Sequence, residues 1–259
     1  MKPLERILRA KRQELDRQKE TENLTDIRRR IADAPPVADF RGAIHVKDRL
    51  SIIAEIKRSS PSRGKIADVG VAELARVYHE SQAAAVSVLT DSHFEGALEH
   101  ITEVRTITDK PLLRKDFILD PYQVYQARAY GADAVLLIAS LLERKEMEEM
   151  LAACAETGLA ALVESHTADD VAKIPEAAVI FGINNRDLDS ENLTIDMNTT
   201  PSLLPSIPQE KTVVCESGIF TRQSVEKLEA LGRVNAILVG TSVIGSDDPQ
   251  KKIAELLGI

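Results

Sequence analysis

Charged side chains stand in this sequence where short apolar runs stop. Glu55 and Lys57 close the run Ser51–Ile56 and lie two residues apart. In a strand, residues two apart leave the same face, so the pair would share one pocket. Burying either charge alone is costly, and an opposite charge nearby offsets part of that cost. A second lysine, Lys115, follows Leu113-Arg114, and another carboxylate, Glu164, follows Leu162-Val163. An ammonium can give a proton and a carboxylate can take one. Groups of both kinds in one pocket push each other's pKa values apart, so acid and base can coexist there. Further along come Gly182-Ile183-Asn184-Asn185-Arg186, Glu216-Ser217-Gly218 and Val239-Gly240-Thr241-Ser242. Glycines at the last two let backbone N–H groups approach an anion, with the hydroxyls of Thr241 or Ser242 beside them. The chemistry these residues suit is metal-free, nucleotide-free acid–base work on a sugar phosphate.

Such residues need a frame that brings their run ends together. Eight β-type runs occur: Ser51–Ile56, Ala85–Thr90, Pro111–Arg114, Ala134–Ala139, Leu159–Val163, Val179–Ile183, Thr212–Cys215 and Ala236–Val239. Most are continuously apolar, as strands buried on both faces of a parallel sheet are. Amphipathic stretches separate them: Val71–Gln82, Gly96–Thr106, Pro121–Tyr130, Glu143–Thr157, Thr167–Lys173, Thr221–Leu231 and Pro249–Leu257. Asp120-Pro121, Thr167, Thr221 and Asp248-Pro249 are helix starts, and Gly131, Gly158 and Gly232 sit where left-handed caps end a helix. Eight strands alternating with helices predict a (β/α)8 barrel, whose active sites form at the C-terminal ends of the strands. A doubly wound sheet is the other arrangement to weigh, but no G-x-G-x-x-G follows any run and no Walker A loop is present. Residues 1–48 precede the first run as a helical extension of a single domain spanning 1–259. Leu4, Ile7, Leu8 and Leu15 form one stripe in it and Leu24, Ile27 and Ile31 a second. Arg28-Arg29-Arg30 reads as a solvated helix face.

Composition removes several function classes. The 259 residues carry 33 basic and 41 acidic side chains, a net charge of −8, which disfavours a nucleic-acid or anionic-membrane surface. There is no Trp, and only five Phe and four Tyr, so base-stacking modules are unsupported. No apolar run approaches the roughly 18 residues of a membrane-spanning helix, and no secretory leader pattern opens the chain. Cys154 and Cys215 read as reduced thiols, and the chain reads as cytoplasmic. The histidines show no metal-ligand spacing, and His79, His93, His100 and His166 read as surface or loop residues. No G-x-S-x-G elbow is present.

The run ends resemble those of the indole-3-glycerol phosphate synthases. The resemblance rests on Ala54-Glu55-Ile56-Lys57-Arg58-Ser59-Ser60-Pro61-Ser62, Leu113-Arg114-Lys115-Asp116-Phe117-Ile118, Leu162-Val163-Glu164, Gly182-Ile183-Asn184-Asn185-Arg186-Asp187-Leu188 and Glu216-Ser217-Gly218-Ile219, with Val88-Leu89-Thr90-Asp91, Phe94 and Gly96 between them. It covers nearly the whole chain, the N-terminal extension included. It implies ring closure, decarboxylation and dehydration of 1-(2-carboxyphenylamino)-1-deoxyribulose 5-phosphate to indole-3-glycerol phosphate, with no metal and no organic cofactor. It further implies Lys115 as the acid that polarises the ketone, and Lys57 as a second acid or the partner of the substrate carboxylate. Glu164 and Glu55 are the candidate bases, and Asn184 orients the ketone or developing hydroxyl. Ser60 and Arg186 would contact the substrate near its carboxylate, Phe94, Phe117 and Leu188 would wall the anthranilate ring, and Glu216 and Ser217 would line the pocket. Gly218, Gly240 and Thr241 would bind the phosphate, and residues 57 to 64 would form a lid. The implied partner is this small anthranilate-derived sugar phosphate, acted on by a monomer or homodimer without nucleic acid or membrane. Sister barrels such as phosphoribosylanthranilate isomerase or the tryptophan synthase α subunit share the phosphate loops, but they would leave the Lys57–Lys115 pair without a role.

Overall fold

The computed structural model describes residues 3–47, 49–57, 59–60, 64–65, 69–187 and 194–259. Eight parallel strands close into a barrel: β1 (Ser51–Ile56), β2 (Ala85–Leu89), β3 (Leu112–Lys115), β4 (Ala134–Ile138), β5 (Ala160–Ser165), β6 (Ile180–Asn184), β7 (Thr212–Glu216) and β8 (Ala236–Val239). Each pairs with its sequence neighbours, and β8 closes on β1. The barrel expected from the sequence is the fold observed, with most strand ends shifted by a residue or two. At β3, β5, β6 and β7 the strand runs on into the charged or polar residue after the apolar run, because Lys115, Glu164, Asn184 and Glu216 are themselves ladder residues.

Alternation explains the barrel's interior. Ile53, Leu113, Leu136, Leu162, Ile180, Val214 and Leu238 pack as one apolar cluster inside the ring. Stepping two residues on from Ile53, Leu113, Leu162 and Val214 gives Glu55, Lys115, Glu164 and Glu216. The interior thus turns from apolar to charged toward the C-terminal ends of the strands. Ile52, Ala54, Val86, Leu112, Val135, Val163, Val213 and Ile237 belong to the other cluster, under the helices.

The connecting helices are α4 (Val71–Glu80), α5 (Glu99–Arg105), α6 (Pro121–Ala129), α7 (Arg144–Thr157), α8 (Ala168–Lys173), α9 (Thr199–Leu203), α10 (Arg222–Glu229), α11 (Thr241–Ile244) and α12 (Pro249–Leu257), counted after three in the extension. Their starts are those legible in the sequence. Asp120 accepts from Tyr122 N–H ahead of Pro121, Thr167 forms a capping box with Asp170, and Thr221 and Asp248 cap α10 and α12. Gly131, Gly158 and Gly232 all adopt positive φ. The stretch from Gly96 is shorter than expected, since α5 begins only at Glu99. Gly96 lies so close to the Leu89 carbonyl that no side chain fits, and its N–H is taken by the Asp91 carbonyl in a turn.

The extension wraps the barrel from mouth to base. Helix α1 (Pro3–Thr21) brings Leu4 and Ile7 to the mouth. Helix α2 (Leu24–Asp33) packs on α6, and its arginines are engaged. Arg28 pairs with Glu156 and lies over the Tyr125 ring, Arg29 pairs with Asp26, and Arg30 pairs with Glu22 and stacks on Tyr130. Helix α3 (Phe40–Ile44) inserts Phe40 and Ile44 into the interior cluster beneath Ile53 and Ala85, and Arg41 Nε donates to Thr212 Oγ1 at the start of β7.

One residue of α1 departs from its apolar stripe. Lys11 sits between Ile7 and Leu15 on the buried face, with 2% of its side chain exposed. Its ammonium lies 2.8 Å from Asp91 Oδ2, 3.0 Å from Asp116 Oδ1 and 3.2 Å from Glu14 Oε2. Burial alone would raise the Asp116 carboxyl, but Arg114 and Lys11 outweigh it and hold the group below its ordinary value. Burial likewise works against the Lys11 ammonium, and the carboxylates more than reverse it. The linkage is therefore present above the ordinary aspartate range and below the ordinary lysine range. It is lost on acidification through the lowered Asp116 value and on alkalinisation through the raised Lys11 value. Lys11→Met takes the shared cation from Asp91 and leaves Asp116 with Arg114 as its one cation, and is expected to cost about 3 kcal/mol at neutral pH, read by urea unfolding. The deficit should shrink as Asp116 protonates in acid; one that stays constant into acid would contradict the ion cluster.

Candidate active site

Lys115 lies at the centre of the mouth. Its Nζ is 3.1 Å from Glu216 Oε2 and 3.4 Å from Glu164 Oε2, and both carboxylates are 1% exposed. Across the opening Lys57 Nζ is 3.6 Å from Glu55 Oε1 and 5.7 Å from the centroid of the Phe94 ring. A cavity of about 200 Å³ lies between them, large enough for one small ligand, with Leu4, Ile7, Phe94, Phe117 and Ile138 among its apolar walls. Two close approaches make room for the acids. A side chain on Gly182 would meet Glu216 Oε1 at 2.5 Å, and one on Gly240 would meet Glu55 Oε1 at 3.0 Å. These glycines are there for space.

The charges are unequal in their protonation. Burial disfavours the Lys115 ammonium, but Glu216, Glu164 and Glu55 outweigh it and hold its pKa above the ordinary lysine range. Burial also pushes both buried glutamates up. At Glu164 the opposing pull of Lys115 and then His166 wins, with hydrogen bonds from Asn184 and Glu216, and the group is held below its ordinary value. At Glu216 burial and the Glu164 charge win over Lys115, and its pKa is pushed up to about 8. Geometry agrees: Glu216 Oε1 is buried with no donor in reach. A proton on Glu216 relieves that oxygen of an unpaired buried charge, and a hydrogen bond links the two carboxyl groups. The site thus holds an ammonium, an ionised Glu164 and a protonated Glu216 near neutral pH.

Small residues line another part of the mouth. Ser217 and Gly218 follow β7 with φ of 65° and 82°, and Gly240, Thr241 and Ser242 open the four-residue α11. All five line the mouth. Among the described residues no group of His, Cys, Asp and Glu is arranged to hold a metal ion, and no helix is long and apolar enough to cross a membrane.

Comparison with known proteins bears on this site. The family model for indole-3-glycerol phosphate synthase matches residues 4–256. An indole-3-glycerol phosphate synthase of Desulforamulus reducens is 41% identical over 98% of this chain and 96% of its own length. One of Neisseria meningitidis serogroup C is 43% identical over 98% of each. The chain belongs to the indole-3-glycerol phosphate synthase family. Members are carboxy-lyases of tryptophan biosynthesis on a (β/α)8 barrel. Among solved structures, 3-hexulose-6-phosphate synthase from Salmonella typhimurium is similar with a TM-score of 0.66 over 81% of this chain and 97% of that one, at 14% identity. The tryptophan synthase α subunit of Pyrococcus furiosus follows at 0.59, covering 81% and 98%, at 17% identity. At such identities these two share the fold alone.

Against the family's pattern, the structure brings together Glu55, Lys57, Lys115, Glu164, Asn184 and Glu216, with Phe94, Phe117, Arg186, Ser217, Gly218, Gly240 and Thr241 around them. Leu188 and the side chain of Ser60 lie outside the described residues, as does most of the expected lid over 57–64, of which Lys57 and a two-residue ladder pairing Ser59-Ser60 with Gly64-Lys65 are described. Two expectations sharpen. Glu216 lines the pocket as expected and is also a direct partner of Lys115. His166, expected on the surface or in a loop, lies in the loop after β5 and brings Nε2 to 3.3 Å from Glu164 Oε1 with its side chain 12% exposed. Its position just past β5, two residues after Glu164, carried that signal. Lys11 was missed too, although a lysine on an apolar stripe four residues from Ile7 and from Leu15 marks a buried charge.

These protonation states set a pH dependence for the family's reaction. As pH rises through about 8, Glu216 loses its proton. That adds negative charge beside Lys115 and makes it a weaker acid. We expect kcat/KM of the wild type to fall on that limb, and Glu216→Gln, neutral at every pH, to lack it. An unchanged limb in Glu216→Gln would contradict the assignment.

Proposed function

We propose that the chain converts 1-(2-carboxyphenylamino)-1-deoxyribulose 5-phosphate to indole-3-glycerol phosphate, carbon dioxide and water, with Lys115 as the general acid. The observation that carries this reading is the Lys115 ammonium held between two buried carboxylates at the floor of an apolar-walled mouth. A fixed ammonium there meets a ketone oxygen and gives it a proton while the ring carbon bearing the carboxylate attacks the carbonyl carbon. The carboxylate then leaves as carbon dioxide, and its bonding pair returns to the ring. The new hydroxyl departs as water on a second proton, and a base takes the remaining proton to complete the indole.

Glu164 suits that base: it is ionised, it adjoins Lys115, and Asn184 reaches it by a hydrogen bond. Lys57, standing by the Phe94 ring, suits the substrate carboxylate, and Glu55 holds it there. Arg186 serves the same anionic end, Phe94 and Phe117 wall the anthranilate ring, and Ser217, Gly218, Gly240 and Thr241 take the phosphate. Steps of general acid–base catalysis are worth about 10²–10⁴-fold each. No residue in this scheme calls for a metal or organic cofactor. The same reading places the work in the cytoplasm, on a small anionic metabolite.

Since the chain has no Trp, indole fluorescence of the product, excited beyond the tyrosine band, is read without an indole background from the protein. Wild-type protein should generate that signal from the carboxyphenylamino substrate, and Lys115→Ala, folded by circular dichroism, should lose at least about a hundredfold in turnover. Folded wild-type protein that makes no indole would defeat the function, and a fully active Lys115→Ala would defeat the mechanism.

A further inference from the structure

The backbone at Ser217–Gly218 rests on a residue behind it. Ser217 has φ of 65°, a region where residues other than glycine persist only when their surroundings hold them. What holds it is Asn185, which is 2% exposed and lies outside the barrel wall between β6, β7 and α9. Its Nδ2 donates to the Ser217 carbonyl at 3.0 Å and to the Glu216 carbonyl at 3.1 Å, and approaches Cys215 Sγ at 3.3 Å. Its Oδ1 accepts from Thr200 Oγ1 at 2.8 Å and from Thr200 N–H at 3.2 Å. Its own N–H donates to the Glu216 carbonyl at 2.9 Å. A backbone N–H can only donate, so the amide atom facing Thr200 is the oxygen and the NH₂ must face the two carbonyls.

Holding a carbonyl fixes more than the carbonyl. The peptide unit is planar and trans, so its N–H points opposite to its C=O. The Ser217 carbonyl is drawn outward to Asn185, and the N–H of that same unit, which belongs to Gly218, is therefore turned away from Asn185. Gly218 lines the mouth, and among the described residues no backbone acceptor takes its N–H. We propose that Asn185 is a positioning residue. By holding the Ser217–Gly218 peptide in this orientation it presents the Gly218 N–H to the phosphate of the substrate, and it does so without touching substrate. This rests on the proposed function for the identity of the anion.

Asn185→Asp tests it. The carboxylate keeps the size and still accepts from Thr200, but it has no N–H for the two carbonyls and sets negative charge against them. With two hydrogen bonds lost, KM and the dissociation constant for inorganic phosphate should each rise by about tenfold, with kcat within about twofold. Inorganic phosphate is titrated by calorimetry, without turnover. Thr200→Val loses one of the two bonds that fix the amide and should weaken phosphate binding by about threefold; it carries the test if Asn185→Asp does not fold. Phosphate affinity unchanged in a folded variant, with only melting temperature lowered, would reduce Asn185 to a structural role and overturn the inference. A fall in kcat at constant KM would also overturn it, as would a wild type that binds no phosphate. Wild-type protein that binds phosphate but makes no indole would defeat the proposed function alone.

Discussion

Two buried carboxylates on one ammonium at Lys115 set the terms for the rest of the mouth. Charges buried this deeply are tolerated only when paired. Two anions on one cation still leave one charge too many, and a shared proton between Glu164 and Glu216 removes it. The barrel then supplies what the arrangement requires. Strand alternation aims Lys115, Glu164 and Glu216 inward from three different strands. The absence of side chains at Gly182 and Gly240 leaves space for two of the acids, and the apolar floor of Ile53, Leu113, Leu162 and Val214 keeps water out beneath them.

A second ion cluster fixes the first from outside. At the end of β3 the chain runs Lys115-Asp116-Phe117. Lys115 reaches the glutamates, Asp116 reaches Arg114 and Lys11, and Phe117 joins the apolar wall. Arg114 is further tied to the Gln123 carbonyl and Gln126. Through Lys11, helix α1 is bonded to Asp91 beyond β2 and Asp116 beyond β3. The extension thus joins two of the strand ends that shape the mouth, while Phe40 and Ile44 seal the base. The proposed acid and a buried ion pair occupy neighbouring residues of a single strand end.

Much of this was legible in the sequence, for reasons that are local. Continuous apolar runs separated by capped amphipathic stretches specify a (β/α)8 barrel, and in that fold a polar residue two positions past an inward-facing apolar one at a run's end faces the mouth. Lys57, Lys115, Glu55, Glu164 and Asn184 were found that way. Roles that depend on distance across the barrel were not. Glu216 looked like one more rim carboxylate until its 3.1 Å approach to Lys115 and its orphaned Oε1 were seen. Asn185 looked like the unremarked neighbour of Asn184, because alternation aims it away from the mouth. Its work depends on Thr200, fifteen positions later. Spacing marks Lys11 and His166 as inward-facing but does not name their partners, and the aspartates that meet Lys11 lie far along the chain.

The central claim is the proton shared by Glu164 and Glu216 beside Lys115, and its most direct test is infrared spectroscopy of the unliganded protein. The difference spectrum of wild type against Glu216→Gln at pH 7 should contain one protonated-carboxyl band, which disappears as pH is raised past about 8. A spectrum at pH 7 without that band would mean both glutamates are ionised around Lys115, and would contradict the account.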